Sequence, residues 1–485
     1  MTDTPSADFT PFREKMRRAG LAELVIDNFQ YYYEMLASGM AGMISESTIA
    51  PVAHVPAQRD MHRYVDAGRA AVGKTALLKL NGGLGTSMGL EQAKSLLPVR
   101  DGMSFLDIII RQNLEARASL DTQLPLCFMN SFNTDADTHR VLANYPALAQ
   151  LVPLTMIQNK VPKIRRDTLQ PVEVASDPEL EWCPPGHGDL YIALQTSGLL
   201  QQLLAGGYEY LFVSNADNLG ATLDLSILGY LAQEQVPFLM EVAARTEADK
   251  KGGHIARRVD GRLVLREVAQ CPKDDLDAFQ DIARYRYFNT NNIWLDLRAL
   301  RAALAAHGNV IKLPMIRNQK TADPRDPDST PVFQLETAMG AAIEVFAGAQ
   351  VLLVERERFV PVKTCADLLA IRSDIYAIDD TYHLQQNPAR TLGTIVIDLD
   401  QAYYKLIDGF EARFPSGVPS LIDCARLAVG GDVLFEAGTI CRGAVGISNQ
   451  RATQQRLEAG TVLADQQLVF PGESESVVLT VYTRP

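Results

Sequence analysis

The sequence predicts an α/β protein built on a doubly wound sheet, and three observations predict it. Short aliphatic runs alternate with segments of helical spacing between residues 76 and 242, the alternation that lays helices on a largely parallel sheet. The first of these runs stops at a glycine cluster, as a strand does where it feeds a ligand-binding loop. The polar motifs further on stand at the carboxyl ends of later runs, where open α/β sheets bind their ligands.

In chain order, residues 12–43 read as helical, because Phe12, Met16, Leu21, Leu24, Val25, Phe29, Tyr32 and Met35 return at spacings of mostly three to five. This segment is expected to pack on the main sheet as a helical cap. Residues 45–67, with Pro51 and Pro56, break the pattern and read as a connection. Residues 76–80, ALLKL, form a buried strand. After the glycines, residues 105–116 are a helix, and 125–129 are a short strand ending at Asn130 and Ser131. A helix at 191–204 and strands at 210–213 and 236–242 continue the alternation.

From about residue 391 the texture changes to aliphatic strands, and Val429, Phe435, Cys441 and Ile447 recur every six residues. The phrase EAGTI at 436–440 returns as EAGTV at 458–462. Such recurrence points to an internal repeat of the hexapeptide β-helix kind. An ordinary antiparallel sheet is the alternative that the pattern leaves open.

A chain of 485 residues is too long for one ordinary core. It divides into an N-terminal helical segment at 1–70, a central domain at 71–385 and a C-terminal domain at 386–485. The formal charge of −12 and the absence of a long basic run exclude a broad cationic face for nucleic acid. Any phosphate must then be held by a local pocket. The six cysteines have no CxxC pair and no metal-like spacing, so they read as reduced, mostly buried thiols. The first residues lack the apolar core of a signal peptide, and no apolar run is long enough to cross a bilayer. The expectation is a cytoplasmic protein with no membrane partner.

The stretch LNGGLGTSMG, residues 80–89, removes side chains at Gly82, Gly83, Gly85 and Gly89 and adds the hydroxyls of Thr86 and Ser87. Bare backbone N–H groups in such a loop suit an anion. The Walker spacing is absent, and Met88 stands where GxGxxG needs its third glycine. Lys94 can add an ammonium to phosphate held over the loop. Asp217 follows the apolar run 211–213 and falls just past a strand end. A carboxylate there suits Mg²⁺, which takes one or two protein carboxylates plus phosphate oxygens; a helix-capping turn is the alternative.

His187 sits in PPGHGD, residues 184–189, where prolines stiffen one side and glycines free the other. Asp189 in the same phrase reads as turn chemistry. Gln158 has the donor and acceptor that the edge of a pyrimidine needs, with a surface glutamine as the alternative, and three asparagines in FNTNN, residues 288–292, are equipped for sugar hydroxyls. Asn292 reads equally as a strand-start cap. Lys363 is a second candidate cation, with a solvated lysine as the alternative.

Several of these motifs occur together and in order. LNGGLGTSMG with Lys94, MNSFNTDADT from 129, PPGHGDLY from 184, EYLFVSNADNLGATLDL from 209, KGGHIARR from 251, FNTNNIWLDL from 288 and PVKTCADLL from 361 span residues 75–375. This series resembles the eukaryotic-type UTP–glucose-1-phosphate uridylyltransferases, also called UDP-glucose pyrophosphorylases. One departure is Ala93, where the family usually has proline before the loop lysine.

The resemblance implies a Rossmann-like nucleotidyltransferase domain with a mixed, mainly parallel sheet, preceded by the helical segment and followed by a left-handed β-helix domain. It implies that Leu80, Asn81, Gly82, Gly83, Gln158 and Gly186 hold the nucleotide, with the base read by Gln158 and loop backbone. His187, Asn215, Ala216, Asp217, Gly252, Glu267, Asn289, Asn291 and Phe359 would line the sugar-phosphate side. Lys94 and Lys363 would be the catalytic cations and Asp217 the ligand of Mg²⁺. The substrates would be UTP and glucose 1-phosphate, with homo-oligomerisation through the C-terminal domain as an option.

Under that reading a phosphate oxygen of the sugar phosphate attacks the α-phosphorus of UTP and pyrophosphate leaves in line. Positioned cations, rather than a general base, are the requirement. The competing readings are a pyrophosphorylase for another sugar 1-phosphate and a sugar-nucleotide-binding regulator without catalysis. A dinucleotide dehydrogenase is disfavoured by the failed glycine fingerprint.

Overall fold

The computed structural model describes residues 8–40, 42–472 and 478–481. The expected terminal units also include residues 1–7, 473–477 and 482–485, which lie outside the described residues.

The central sheet orders its main strands as His254–Arg258, Tyr287–Asp296, Tyr210–Asn215, Thr75–Asn81, Leu126–Asn130 and Thr155–Ile157. The last four are mutually parallel, with Leu80 level with Asn215 on one side and Met129 on the other. Their carboxyl ends therefore open together, with the glycine loop between them. Tyr287–Asp296 runs antiparallel to Tyr210–Asn215 and also pairs with Phe238–Ala244, so the sheet is mixed.

Alternate residues of the first strand serve opposite faces, as a strand buried on both sides requires. Leu77 packs with Phe105, Ile109, Phe128 and Phe212, while Ala76 and Leu78 pack with Leu190, Leu211 and Val213. Each fully buried large apolar side chain contributes roughly 1.5–3 kcal/mol. The helix Phe105–Ser119 starts at a capping box in which Ser104 and Asp107 satisfy each other's backbone N–H groups.

Two expected helices are each divided. The N-terminal one is Thr10–Arg18 followed by Glu23–Ala37, broken at Gly20 and ended before Gly39, both with φ of 75°. Residues 191–204 are the helices Leu190–Thr196 and Leu199–Ala205, separated at Gly198. The periodicity passes through these breaks because both halves present apolar residues to one core. The N-terminal pair also packs elsewhere than expected: Phe12, Phe29 and Tyr33 join Ile164, Trp182, Met315 and Leu335. These partners belong largely to a small sheet of Met315–Thr321, Pro331–Thr337 and Ile164–Arg165, not to the central sheet.

The C-terminal strands are mainly parallel, and only Val478–Val481 among the described ones runs antiparallel, against Val462–Phe470. Val396–Leu399, Cys424–Gly430, Ile440–Asn449 and Val462–Phe470 stack in order, and Val433–Phe435 stacks on Gln455–Leu457. Ile440 pairs with Val462, the same offset that separates the two EAGT phrases. Val429, Phe435, Cys441 and Ile447 all point into the core between these ladders. The six cysteines are free and buried. Among the described residues no helix is long and apolar enough to cross a membrane.

Candidate active site

The glycine loop leaves the sheet at Asn81, whose side chain is consumed by structure. Its Nδ2 donates to Asn130 Oδ1 and Thr138 Oγ1, each at 2.8 Å, and its carbonyl accepts from Thr134 Oγ1. The loop therefore offers backbone rather than the Asn81 amide. Gly82 lies close under Gln158: a Cβ there would stand 2.7 Å from Gln158 Nε2 and would displace the amide. The Gln158 backbone N–H donates to Asn130 O at 2.8 Å, which seats the glutamine against the loop.

Lys94 returns to the loop through its N–H, which donates to Gly83 O at 3.1 Å. Its Nζ lies 2.6 Å from Asp217 Oδ2. At Ala93 the backbone keeps a proline-like φ of −53°, and its N–H donates to Asp137 Oδ2 at 3.1 Å. Proline cannot make that bond. The departure thus preserves the local geometry and adds a tether.

Asp217 is placed just beyond Tyr210–Asn215, and the N–H of Ala216 donates to Leu80 O at 3.0 Å. The carbonyl of Asp217 accepts from Val362 N at 3.1 Å. Asn218 accepts from Val360 N at 2.9 Å and donates to Arg358 O at 3.0 Å. These bonds pin residues 358–362 beside the loop and deliver the exposed Lys363 to the site. Asp217 Oδ1 is buried and has no hydrogen-bond partner among the described residues. An orphaned carboxylate oxygen beside the glycine loop fits a divalent cation of the Mg²⁺ type, which needs few protein ligands. No group of three or more His, Cys, Asp or Glu residues suited to a metal occurs among the described residues.

His187 follows Gly186, whose φ of 80° and position 2.5 Å from Thr337 O, measured to a Cβ built on it, admit no other residue without strain. His187 Nδ1 accepts from Met339 N–H at 3.1 Å. That bond assigns the proton of the neutral ring to Nε2, leaving a directed donor. Burial, with Lys363 nearby as a lesser cause, pushes the imidazole down to about 4. His187 is therefore a neutral donor at physiological pH.

Asp189, expected to be simple turn chemistry, joins two of these segments. It is buried, and its Oδ2 accepts from the backbone N–H of Asn159 at 2.6 Å while both oxygens accept from Asn159 Nδ2 at 3.0 Å. The residue next to Gln158 is thus clipped to the residue two beyond His187. Burial raises Asp189 to about 6 despite these donors.

FNTNN lies inside the strand Tyr287–Asp296, so Asn292 is not a strand-start cap. The strand bulges against Phe238–Ala244 at this point, and Asn291 takes a φ of 60°. Asn289 and Asn291 lock each other, Nδ2 of the first donating to Oδ1 of the second at 2.9 Å. Asn292 turns inward to Glu241 Oε2 at 2.9 Å. Glu241 is wholly buried and also accepts from Trp294 Nε1 at 2.8 Å and from Arg358. Gly252 packs on Phe288, whose ring lies 5.1 Å from that of Phe359. The Glu267 carboxylate fills the space a side chain at Gly253 would take. Burial raises its pKa and nearby Lys363 opposes the rise.

Lys363 thus lies within electrostatic reach of both His187 and Glu267, and its backbone neighbour Val362 bonds Asp217. The expected residues that contact one another fall into two groups: the loop, Gln158, Lys94 and Asp217 on one side, and Gly252, Glu267, Asn289, Asn291 and Phe359 on the other. Among the described residues Asn215 has no side-chain bond that ties it to either, although it adjoins Ala216 in sequence and Leu80 in register. The residues missed from sequence are Asp189, Asn218, Glu241 and Arg358. A carboxylate at 241 inside the apolar run FLMEVA was a usable signal; the others look like ordinary loop residues.

A family model described as UTP–glucose-1-phosphate uridylyltransferase matches residues 26–442. A UTP–glucose-1-phosphate uridylyltransferase of Saccharomyces cerevisiae is 42% identical over 373 residues, covering 77% of this chain and 73% of its own. That of Hordeum vulgare is 39% identical over 409 residues, covering 84% of each chain. Among solved structures, a Leishmania major UDP-glucose pyrophosphorylase mutant in complex with UDP-glucose is 46% identical, with a TM-score of 0.90 over 96% of this chain and 99% of that one. A Trypanosoma brucei UDP-glucose phosphorylase is 44% identical, with a TM-score of 0.88 over 95% and 99%.

Proposed function

This chain belongs to the UTP–glucose-1-phosphate uridylyltransferase family, and from that premise we propose that it converts UTP and glucose 1-phosphate to UDP-glucose and pyrophosphate, reversibly and with Mg²⁺. The observation that carries the reading is the meeting of Lys94 and Asp217 at the mouth of the glycine loop, 2.6 Å apart.

The sugar phosphate is already anionic at neutral pH, so its attack on the α-phosphorus calls for charge neutralisation rather than proton removal. Lys94 approaches from the glycine loop and Lys363 from the segment held by Asn218. Together they offset the repulsion between the two phosphates and the charge that grows on the α-phosphoryl oxygens. Asp217 would hold Mg²⁺, which when bound supplies further positive charge to phosphate oxygens. His187 donates its Nε2–H to a phosphate oxygen without gaining or losing a proton. Gln158 and the backbone of residues 80–83 orient the base, Gly186 lies against it, and Asn289, Asn291, Glu267 and Gly252 receive the glucose.

Pyrophosphate release is the test, measured with Mg²⁺ for UTP, ATP, GTP or dTTP paired with glucose, galactose or N-acetylglucosamine 1-phosphate. Release confined mainly to UTP with glucose 1-phosphate supports the proposal. Preference for another sugar phosphate would reassign the substrate, and no release while UDP-glucose still binds would make the protein a regulator.

A further inference from the structure

Below the glycine loop, on the face of the sheet covered by the helix Phe105–Ser119, lies a cavity of about 200 Å³ that the proposed reaction does not use. Its walls include Leu77, Ile109, Leu120, Leu126 and Leu225, and it reaches the surface beside the exposed Ser119 and Thr381. For scale, an apolar cavity of about 150 Å³ holds one benzene molecule. Three buried polar side chains, Lys79, Gln112 and Asn113, also line it, together with the half-buried Glu115, Thr222 and His383.

Asn113 is 2% exposed, and its Nδ2 donates to Leu124 O at 3.0 Å. Its Oδ1 is buried with no partner among the described residues. Leaving such an acceptor unsatisfied is destabilising, and an occupant carrying an O–H or N–H would satisfy it. Lys79 Nζ donates to Ser214 Oγ and to Ala221 O, each at 2.7 Å. An ammonium has three N–H groups, so one remains without a protein acceptor among the described residues. The adjacent carboxylate, Glu241, is already engaged by Arg358, Trp294 and Asn292. Burial, with the neighbouring Arg358 as a lesser cause and Glu241 opposing, pushes Lys79 down to about 7.

We propose that this cavity is a binding site for a small amphipathic acid: an apolar ring or short chain with a carboxylate for Lys79 and an O–H or N–H donor for Asn113. The site differs from the proposed catalytic one in chemistry as well as place, because it offers one cation and no loop of backbone N–H groups. Occupancy would act on the ammonium that also holds Ser214, three residues before Asp217 in the same chain segment.

The probe is 4-hydroxybenzoate, titrated calorimetrically into the full chain with and without saturating UDP-glucose. Saturable one-to-one binding is expected at a Kd of about 1 mM or tighter, the range open to a ten-atom ligand. UDP-glucose should not displace it. Benzoate, which lacks the donor for Asn113, should bind about tenfold more weakly. Ala116→Phe, which fills the cavity from a half-buried helix position, should abolish binding while circular dichroism and melting remain those of the folded chain. Asn113→Leu should weaken binding about tenfold or more and remove the preference for the hydroxyl. Absence of saturable binding, displacement by UDP-glucose, or unchanged binding in folded Ala116→Phe would each overturn the proposal. Since the readout is binding, it stands whether or not uridylyl transfer is observed.

Discussion

The two carboxylate oxygens of Asp217 face different surroundings: Oδ2 lies 2.6 Å from Lys94 Nζ, while Oδ1 is buried without a partner among the described residues. A bound cation would engage the free oxygen and relax the ion pair. Asp217→Ala should therefore lower turnover by about 10²–10³-fold and flatten the Mg²⁺ titration of activity. Melting should change little, because half of the carboxylate makes no stabilising bond. A large drop in melting temperature with a normal Mg²⁺ response would make the residue structural.

Lys363 is exposed, yet it lowers the pKa of His187 and opposes the rise at Glu267. Lys363→Ala is expected to cut kcat by a few powers of ten, roughly the cost of one preorganised electrostatic contact, with the fold intact. The same substitution should move His187 upward in an NMR titration, since a neighbouring positive charge has been removed. Near-normal kcat would exclude the lysine from catalysis.

Gly252 abuts Phe288 so closely that an added Cβ would fall 1.9 Å from the ring. Phe288 in turn touches Phe359. Gly252→Ala should displace both rings at a cost of about 1–3 kcal/mol in stability. Its KM for glucose 1-phosphate should rise more than its KM for UTP, and equal rises would place Gly252 outside the sugar site.

Asp189 sets a pH dependence. Its folded pKa, about 6, lies above the usual carboxylate value near 3.8, so the folded protein binds the proton more tightly than the unfolded chain. Its contribution to stability is fully present below about pH 4 and is lost as pH rises through 6. Measured against the non-titrating Asp189→Asn, the melting temperature of the native chain should fall between pH 4 and 7. A flat or rising difference would contradict the raised pKa.

Much of this was legible one residue at a time. The strand at 75–81 follows from its aliphatic run, and the loop from its glycines, because close approach of backbone admits no side chain. The C-terminal phrase EAGT is long enough to reveal stacking, and its register in the parallel ladders follows the repeat. Helix breaks at Gly20 and Gly198 were obscured because the apolar face continues across them. Asp189 looked like a turn residue because its partner, Asn159, is distant in sequence.

The sequence by itself determined which backbone segments are bare, which strands are buried and where a carboxylate and two lysines stand relative to strand ends. Local sterics and hydrophobic periodicity act over a few residues, so they are written in consecutive letters. Only the tertiary structure decided that Asn218 draws the Lys363 segment beside Asp217, that Asp189 clips the His187 loop to Asn159, and that Asn292 serves buried Glu241 while Asn289 and Asn291 bond each other. Those choices depend on desolvation and hydrogen-bond satisfaction between chain-distant groups, which exist only once the sheet has brought them together.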